Sequence, residues 1–342
     1  MTGKLGPEAL AEVLAATGVD DAAVDVGPAY GEDAAAIDLA GAESTLVVAA
    51  DPLSLAADAV GELAVHVACN DVAASGADPR WLTHTLFLPD DDPARRRTVT
   101  EQVDETAREL GVAIVGGHTE VLPSLDRPLC SMTALGTTDR FVSSGGAEPG
   151  DRLLLTKGAG IEATAILATD FREACAEAGV AEETLDAAAD FLGEVSVVPD
   201  AAAARDAASA MHDPTEGGLL TALVETASAS GAVLSVERDR VPIRPETEAC
   251  CAALGVDPLA TFGSGALLAA VPPERVGEAT DALAAAGIDA GEIGEVRAPG
   301  DGGDSEEGDT SGDGSSVGTV FLDGDPIDEA PRDELYPLWE DR

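Results

Sequence analysis

Three aspartates, Asp33, Asp51 and Asp71, stand where apolar runs meet turns or sit inside a helix-like segment. Carboxylates brought from separate strands and helices can converge on one Mg²⁺, a hard cation that takes oxygen ligands and generally carries phosphate. Asp71 falls in the mostly apolar stretch 63–74. A charge there must be paired, metal-bound or at a wet edge. Asp58, Glu62, His66 and Asn70 recur every four residues as a polar stripe, so a solvated helix face with Asp71 at its rim stays open beside the metal reading.

Glycines give the second signal. Gly116-Gly117 follows an apolar run and would let backbone approach a ligand closely. Gly158 and Gly160 precede a helical pattern and could offer N–H groups to phosphate. Neither loop matches a Walker A or a GxGxxG fingerprint. Lys157, before the second loop, is one of only two lysines. It reads equally as a phosphate contact or a surface residue. His212-Asp213-Pro214-Thr215 reads as an acid–base pair or as a helix entry capped by Asp213 or Thr215; the pattern favours the cap.

Apolar spacing supplies the elements that must hold these residues. Helices are expected over 7–16, 58–77, 93–110, from the Gly158–Gly160 loop to about 178, over 185–193 and 201–210, before Gly231, and over 273–286. Strands are expected over 45–50, 81–88, 112–115, 129–136, 152–156, 233–236, 266–271 and 319–322. Pro149-Gly150-Asp151 marks a boundary, giving domains 1–148 and 149–342. Residues 299–316 hold no large apolar side chain and read as a solvated, mobile acidic insertion in the second domain. Both halves mix strands with helices, so the fold class is α/β or α+β in two domains.

The 342 residues carry 65 acidic and 19 basic side chains, a net charge of −46, yet 45 % are apolar and 3 % aromatic. The apolar share excludes a wholly disordered chain. The charge argues against nucleic acid, whose phosphates call for clustered Lys and Arg. No apolar run reaches the length of about 18 residues that spans a bilayer, and no secretory leader is evident, so no membrane partner and a cytoplasmic location are expected. Acid excess spread along the whole chain suits a salt-accumulating cell, where screening relieves self-repulsion. The five cysteines show no CxxC and read as buried, reduced side chains.

Five blocks occur in order: Gly31-Glu32-Asp33-Ala34-Ala35, the run 70–79 beginning Asn70-Asp71-Val72, Gly116-Gly117-His118-Thr119-Glu120, the run 211–219 centred on His212-Asp213-Pro214-Thr215, and the run 263–268 beginning Gly263-Ser264-Gly265. Together they resemble the PurM-like (AIR synthetase-related) superfamily, over residues 27–297, and within it the hydrogenase-maturation HypE branch. The resemblance implies a two-domain fold whose N-terminal halves pair through strands into a homodimer, and whose C-terminal half is an α/β sandwich. It implies ATP and Mg²⁺ as cofactors. Asp33, Asp51 and Asp71 would be metal ligands, with Asn70, Gly116, Gly117 and Lys157 on the nucleotide side. The implied activity is ATP-dependent phosphorylation or activation of a small carbonyl, amide or phosphate acceptor.

The pattern departs in places. Glu32 stands for the first acid of Gly-Asp-Asp, and His118 for the acid of Gly-Gly-Asp-Thr, with Glu120 two positions on. Glu216 replaces an arginine, and the Ser-Glu-Gly pattern is reduced to Ser264-Gly265. The HypE branch carries its carbamoyl group on a terminal cysteine, whereas this sequence ends Leu338-Trp339-Glu340-Asp341-Arg342. The alternatives are therefore a nucleotide-binding regulator without turnover, or hydrogenase maturation with Cys250 or Cys251 as carrier.

Overall fold

The structure, a computed structural model, describes residues 10, 13, 21–39, 42, 44–54, 59–299, 318–327 and 329–340. The expected helix over 7–16 apart from Leu10 and Val13, the start of the Asp58 stripe, and the acidic insertion from 300 to 316 lie outside the described residues. The architecture is mixed α/β with two sheets. The chain divides into one unit of Asp21–Gly27 and Asp33–Phe141, and another that includes Pro28–Glu32 and Val142–Arg342.

In the first unit the strands are β1 (Val24–Val26), β2 (Ala35–Asp38), β3 (Thr45–Leu53), β4 (Asp78–Leu88), β5 (Ala113–Val121) and β6 (Leu129–Thr138). They form one sheet in the order β1-β2-β3-β6-β4-β5. All neighbours are antiparallel except β4 and β5, which are parallel and joined by helix α2 (Pro93–Glu109). Every second residue of β6 is buried, as expected of a sheet covered on one face. The cover is helix α1 (Val60–Ala74), which buries Leu63, Val65, Ala68, Cys69 and Val72. Each larger apolar side chain so buried contributes about 1.5–3 kcal/mol. At Gly136 a Cβ would lie 2.5 Å from Val72 Cγ1 and 2.6 Å from Asp78 O, which seats the C-terminal end of α1 on β6. The expected helix over 93–110 is α2, begun by the Asp92 carboxylate accepting from Ala94 N.

The second unit holds β7 (Arg152–Thr156), β8 (Ala210–His212), β9 (Val233–Val236), β10 (Leu268–Val271), β11 (Ala290–Arg297), β12 (Thr319–Leu322) and β13 (Asp325–Ile327), in the order β13-β12-β9-β11-β7-β10-β8. Its helices are α3 (Ile161–Thr169), α4 (Arg172–Glu177), α5 (Glu182–Ala189), α6 (Val198–Ala204), α7 (Gly218–Ser230), α8 (Pro245–Leu254), α9 (Val276–Ala285) and α10 (Tyr336–Glu340). Leu153, Leu155, Leu219, Leu223, Leu234 and Ile293 share the main core. The single helix expected from Gly160 to about 178 is two: α3 ends at Asp170, and Phe171 leaves helical geometry to enter the core beside Cys175. The expected helix over 201–210 stops at Ala204, because Ala210 pairs with Ala270 as the first residue of β8.

Charge leaves a thermodynamic mark on this fold. Exposed pairs such as Arg172 with Glu182 and Asp186 (2.6 Å each) and Arg275 with Glu278 (2.7 Å) add little, because solvent screens them and long side chains lose freedom to form them. Nineteen basic groups cannot neutralise 65 acidic ones, so repulsion outweighs the pairs. Screening shortens the Debye length from about 10 Å at 0.1 M salt to about 3 Å at 1 M. The melting temperature should rise steeply between roughly 0.1 M and 3 M KCl. Equal melting at both would contradict this reading of the charge.

Candidate functional site

In the first unit the antiparallel register Ala35↔Val48 carries Asp33 and Asp51 to the same end of the β2–β3 pair. Both are half-buried. Asp51 pairs with Met132, Met132 with His84, and His84 with Gly117, so Asp51 and Gly117 sit level on one rung, three strands apart. That is about 14 Å. Asp71 and Asn70 are buried near the C-terminal end of α1, at 6 % and 0 % exposure. The neighbouring Val72 meets Gly136, four residues along β6 from the Asp51 partner Met132, about 13 Å up the strand. Among the described residues Asp33, Asp51 and Asp71 do not form a set whose ligand oxygens all lie within 4.8 Å of one another. Ligands of one Mg²⁺ stand about 2.0–2.1 Å from it, so in this conformation the three do not all bind a single ion directly.

The sequence pattern suggested a loop at Gly116-Gly117, but both residues lie inside β5, the edge strand of the sheet, and every residue of β5 is exposed. A Cβ on Gly117 would sit 2.5 Å from His84 O, so only glycine fits. His118 Nε2 and Glu120 Oε2, two residues apart on one face of β5, lie 3.2 Å from each other. Glu120 thus brings a carboxylate to the position where His118 removed one.

His84 escaped the sequence reading. Its Nδ1 is buried without a hydrogen-bond partner, and burial lowers the imidazole pKa, which keeps it neutral near pH 7. In the sequence it is only a histidine among Leu82, Leu86 and Leu88 on one face of β4; the parallel β4–β5 register sets it beside Gly117.

In the second unit Lys157, expected on the nucleotide side, is engaged internally. Its ammonium lies 3.1 Å from the Asp200 carboxylate and donates to Glu194 O (3.1 Å) and Ser196 O (2.7 Å). One ion pair and two carbonyl hydrogen bonds thus hold the ammonium inside this unit. His212, on β8, pairs with Glu225 of α7 at 3.0 Å, both buried. The sequence preference for Asp213 or Thr215 as the cap of α7 is corrected. The N-cap is Gly217 in the left-handed region, with no side-chain cap of its own. Its N–H donates to Asp333 Oδ2 (2.8 Å), a partner 116 residues away. Glu32 is held by a hydrogen bond from Ser143 Oγ, which in turn accepts from Gly145 N (2.9 Å).

The AIR synthase related protein N-terminal domain matches residues 31–138, and the AIR synthase related protein C-terminal domain matches residues 148–304. The chain belongs to the AIR synthase related family. Within this PurM-like superfamily it lies close to the HypE branch. The carbamoyl dehydratase HypE of Azotobacter vinelandii is 34 % identical over 239 residues, 68 % of this chain and 68 % of that relative. The match spans 61 % of the length of the Cupriavidus necator carbamoyl dehydratase HypE. Among solved structures, the hydrogenase maturation protein HypE in complex with ATP superposes with a TM-score of 0.66 at 26 % identity, over 92 % of this chain and 91 % of that one. AaThiL complexed with AMPPCP and TMP shares the fold, with a TM-score of 0.72 at 23 % identity over 97 % of this chain and 98 % of that one. Among the described residues no helix is long and apolar enough to cross a membrane.

Proposed function

We propose that this chain is an ATP- and Mg²⁺-dependent enzyme that phosphorylates or activates a small carbonyl, amide or phosphate acceptor. The observation that carries the reading is the rung on which Asp51 and the side-chain-free backbone of Gly117 stand level. The similarity to a HypE solved with ATP supports the nucleotide. The donor set, all carboxylate oxygen, fits Mg²⁺, which keeps several waters and accepts contacts through them. Asp33, Asp51 and Asp71 would hold the metal directly or through water, and Asn70 would orient Asp71. Bound Mg²⁺ supplies neutralisation of the γ-phosphate charge. The Gly116-Gly117 backbone would approach the phosphates, and neutral His84 beside it would fix their position. The exposed edge strand β5, with Ile114, Val115 and Val121 at 39 %, 59 % and 43 % exposure, supports pairing with a second copy as a homodimer.

Likeness to the HypE relatives favours hydrogenase maturation as a second reading. Its proposed carriers do not suit it: Cys250 and Cys251 are 0 % and 1 % exposed, and burial pushes the Cys251 thiol up to about 12. ADP release in concentrated KCl, measured across carboxamide, carbonyl and phosphate acceptors, separates the readings. The enzyme reading predicts acceptor-stimulated release that falls about 10–100-fold in Asp71→Asn, the usual loss when a metal site is disturbed. Binding without release for every acceptor would instead favour the regulator.

A further inference from the structure

His118 and Glu120 stand in the same sequence block as Gly116 and Gly117, yet the metal and nucleotide contacts proposed above use neither. His118 Nε2 and Glu120 Oε2 lie 3.2 Å apart, on side chains 66 % and 50 % exposed. An imidazole nitrogen beside a carboxylate oxygen suits Zn²⁺ or Co²⁺, whereas Mg²⁺ takes oxygen. Two such donors are half of a tetrahedral site.

A second copy can bring the other half. Strand β5 is an edge strand with every residue exposed, and such an edge offers its backbone for pairing. Its exposed apolar residues are spaced symmetrically about His118: Val115 and Val121 three positions to either side, Ile114 and Leu122 four. Antiparallel pairing about a two-fold axis at His118 sets Val115 against Val121 of the partner subunit, and Ile114 against Leu122 of the partner subunit, and repeats both matches by symmetry. An axis at Gly117 or Thr119 loses both matches. With the axis at His118, the two His118 side chains face each other with Cβ atoms about 4.5–5.5 Å apart. Each Glu120 then faces Gly116 of the partner subunit. Packing within one chain does not demand glycine at 116, since a Cβ there would meet nothing nearer than Thr83 Cγ2 at 3.8 Å. Across the seam, its missing side chain gives Glu120 room.

We propose that two β5 edges join around one divalent transition-metal ion, held by His118 Nε2 and Glu120 Oε2 from each chain. The site rests on the homodimer part of the proposed function and is incomplete in a single copy. The ion also answers a charge conflict. Each chain carries a net charge of −46, and the seam gathers two more carboxylates that would repel one another. A divalent cation neutralises both, and two neutral imidazoles complete its shell without adding charge.

The test titrates the metal-free full chain with Co²⁺ in concentrated KCl, without nucleotide. Visible d–d bands report the coordination, and sedimentation equilibrium reports the mass. The expected result is the intense spectrum of tetrahedral Co²⁺, saturating at one ion per two chains, on a dimer. Zn²⁺ should erase the bands, and Mg²⁺ in excess should not. His118→Ala and Glu120→Gln should each abolish them. Val115→Lys, a change at a solvent-facing position, should give a monomer and weaken Co²⁺ binding by about 10²-fold, because the two half-sites are no longer held together. A dimer without cobalt bands, or undiminished bands in both ligand variants, would overturn the metal site and leave the homodimer standing. Saturation at one ion per chain would overturn the shared site. A chain that stays monomeric with Co²⁺ present would overturn site and homodimer together.

Discussion

Lys157→Met should lower the unfolding free energy by about 3–5 kcal/mol, the usual cost of breaking one side of a buried ion pair. The Lys157 side chain is 14 % exposed and its partner Asp200 is 0 % exposed. Burial lowers the lysine pKa, while the Asp200 charge, the hydrogen bond to it and the Glu194 charge act in the opposite sense. Methionine keeps the apolar stem, so the change removes the ammonium and leaves the Asp200 carboxylate uncompensated. Glu194 O and Ser196 O lose their donor as well. The double variant Lys157→Met/Asp200→Leu should regain most of the loss, because an apolar pair of similar volume can replace a buried ion pair at little cost. Denaturant titration in concentrated KCl measures both. A loss below about 1 kcal/mol, the range of exposed pairs, would contradict the burial of the pair. Were Lys157 a phosphate contact instead, the variant would weaken nucleotide binding and leave stability intact.

Asp333→Asn should change how stability depends on pH. Asp333 is 1 % exposed, and burial, reinforced by the Glu162 and Glu216 charges, pushes its carboxyl up to about 7. Hydrogen bonds from Gly217 N and Leu335 N oppose that rise without cancelling it. The folded chain therefore holds a proton that the unfolded chain releases near the ordinary Asp value, about 3.9. The stabilisation is fully present below the unfolded pKa, declines above it, and is gone once pH passes the folded value. Three units of difference correspond to about 4 kcal/mol lost between roughly pH 4 and pH 8. Asparagine stays neutral throughout. It forfeits one acceptor, about 1 kcal/mol, so it should be the less stable form near pH 4 and the more stable one near pH 8. Denaturant midpoints that run parallel over this range would contradict the assignment.

These two residues also show what could be read before the fold was known. Lys157 stood out only because the chain has two lysines; its partner Asp200 lies 43 positions away in a segment of alanines, and nothing local pairs them. Asp333 carried no sequence signal, since the cap it provides for Gly217 exists only once the last segment has folded back. Local patterns did better. Alternation located β4, amphipathic spacing located α2, and Thr319–Leu322 emerged as β12. Helix α8 was missed because its two cysteines and small alanines give little periodic contrast. Gly116-Gly117 misled for a physical reason: glycine marks turns, but here it lies in an edge strand where His84 O leaves no room for a Cβ. The five blocks were legible as a set, which is why the family emerged. Rung alignment across β3, β6, β4 and β5 is a long-range property that no spacing encodes.

The central claim is a carboxylate-held Mg²⁺ that carries ATP to this unit. Isothermal titration of the full chain with ATP in about 3 M KCl, where the acidic surface is screened, tests it with and without MgCl₂. The account predicts saturable binding only with the divalent ion, weakened about 10–100-fold in both Asp51→Asn and Asp71→Asn. Equal binding without metal, or undiminished binding by both variants, would contradict it.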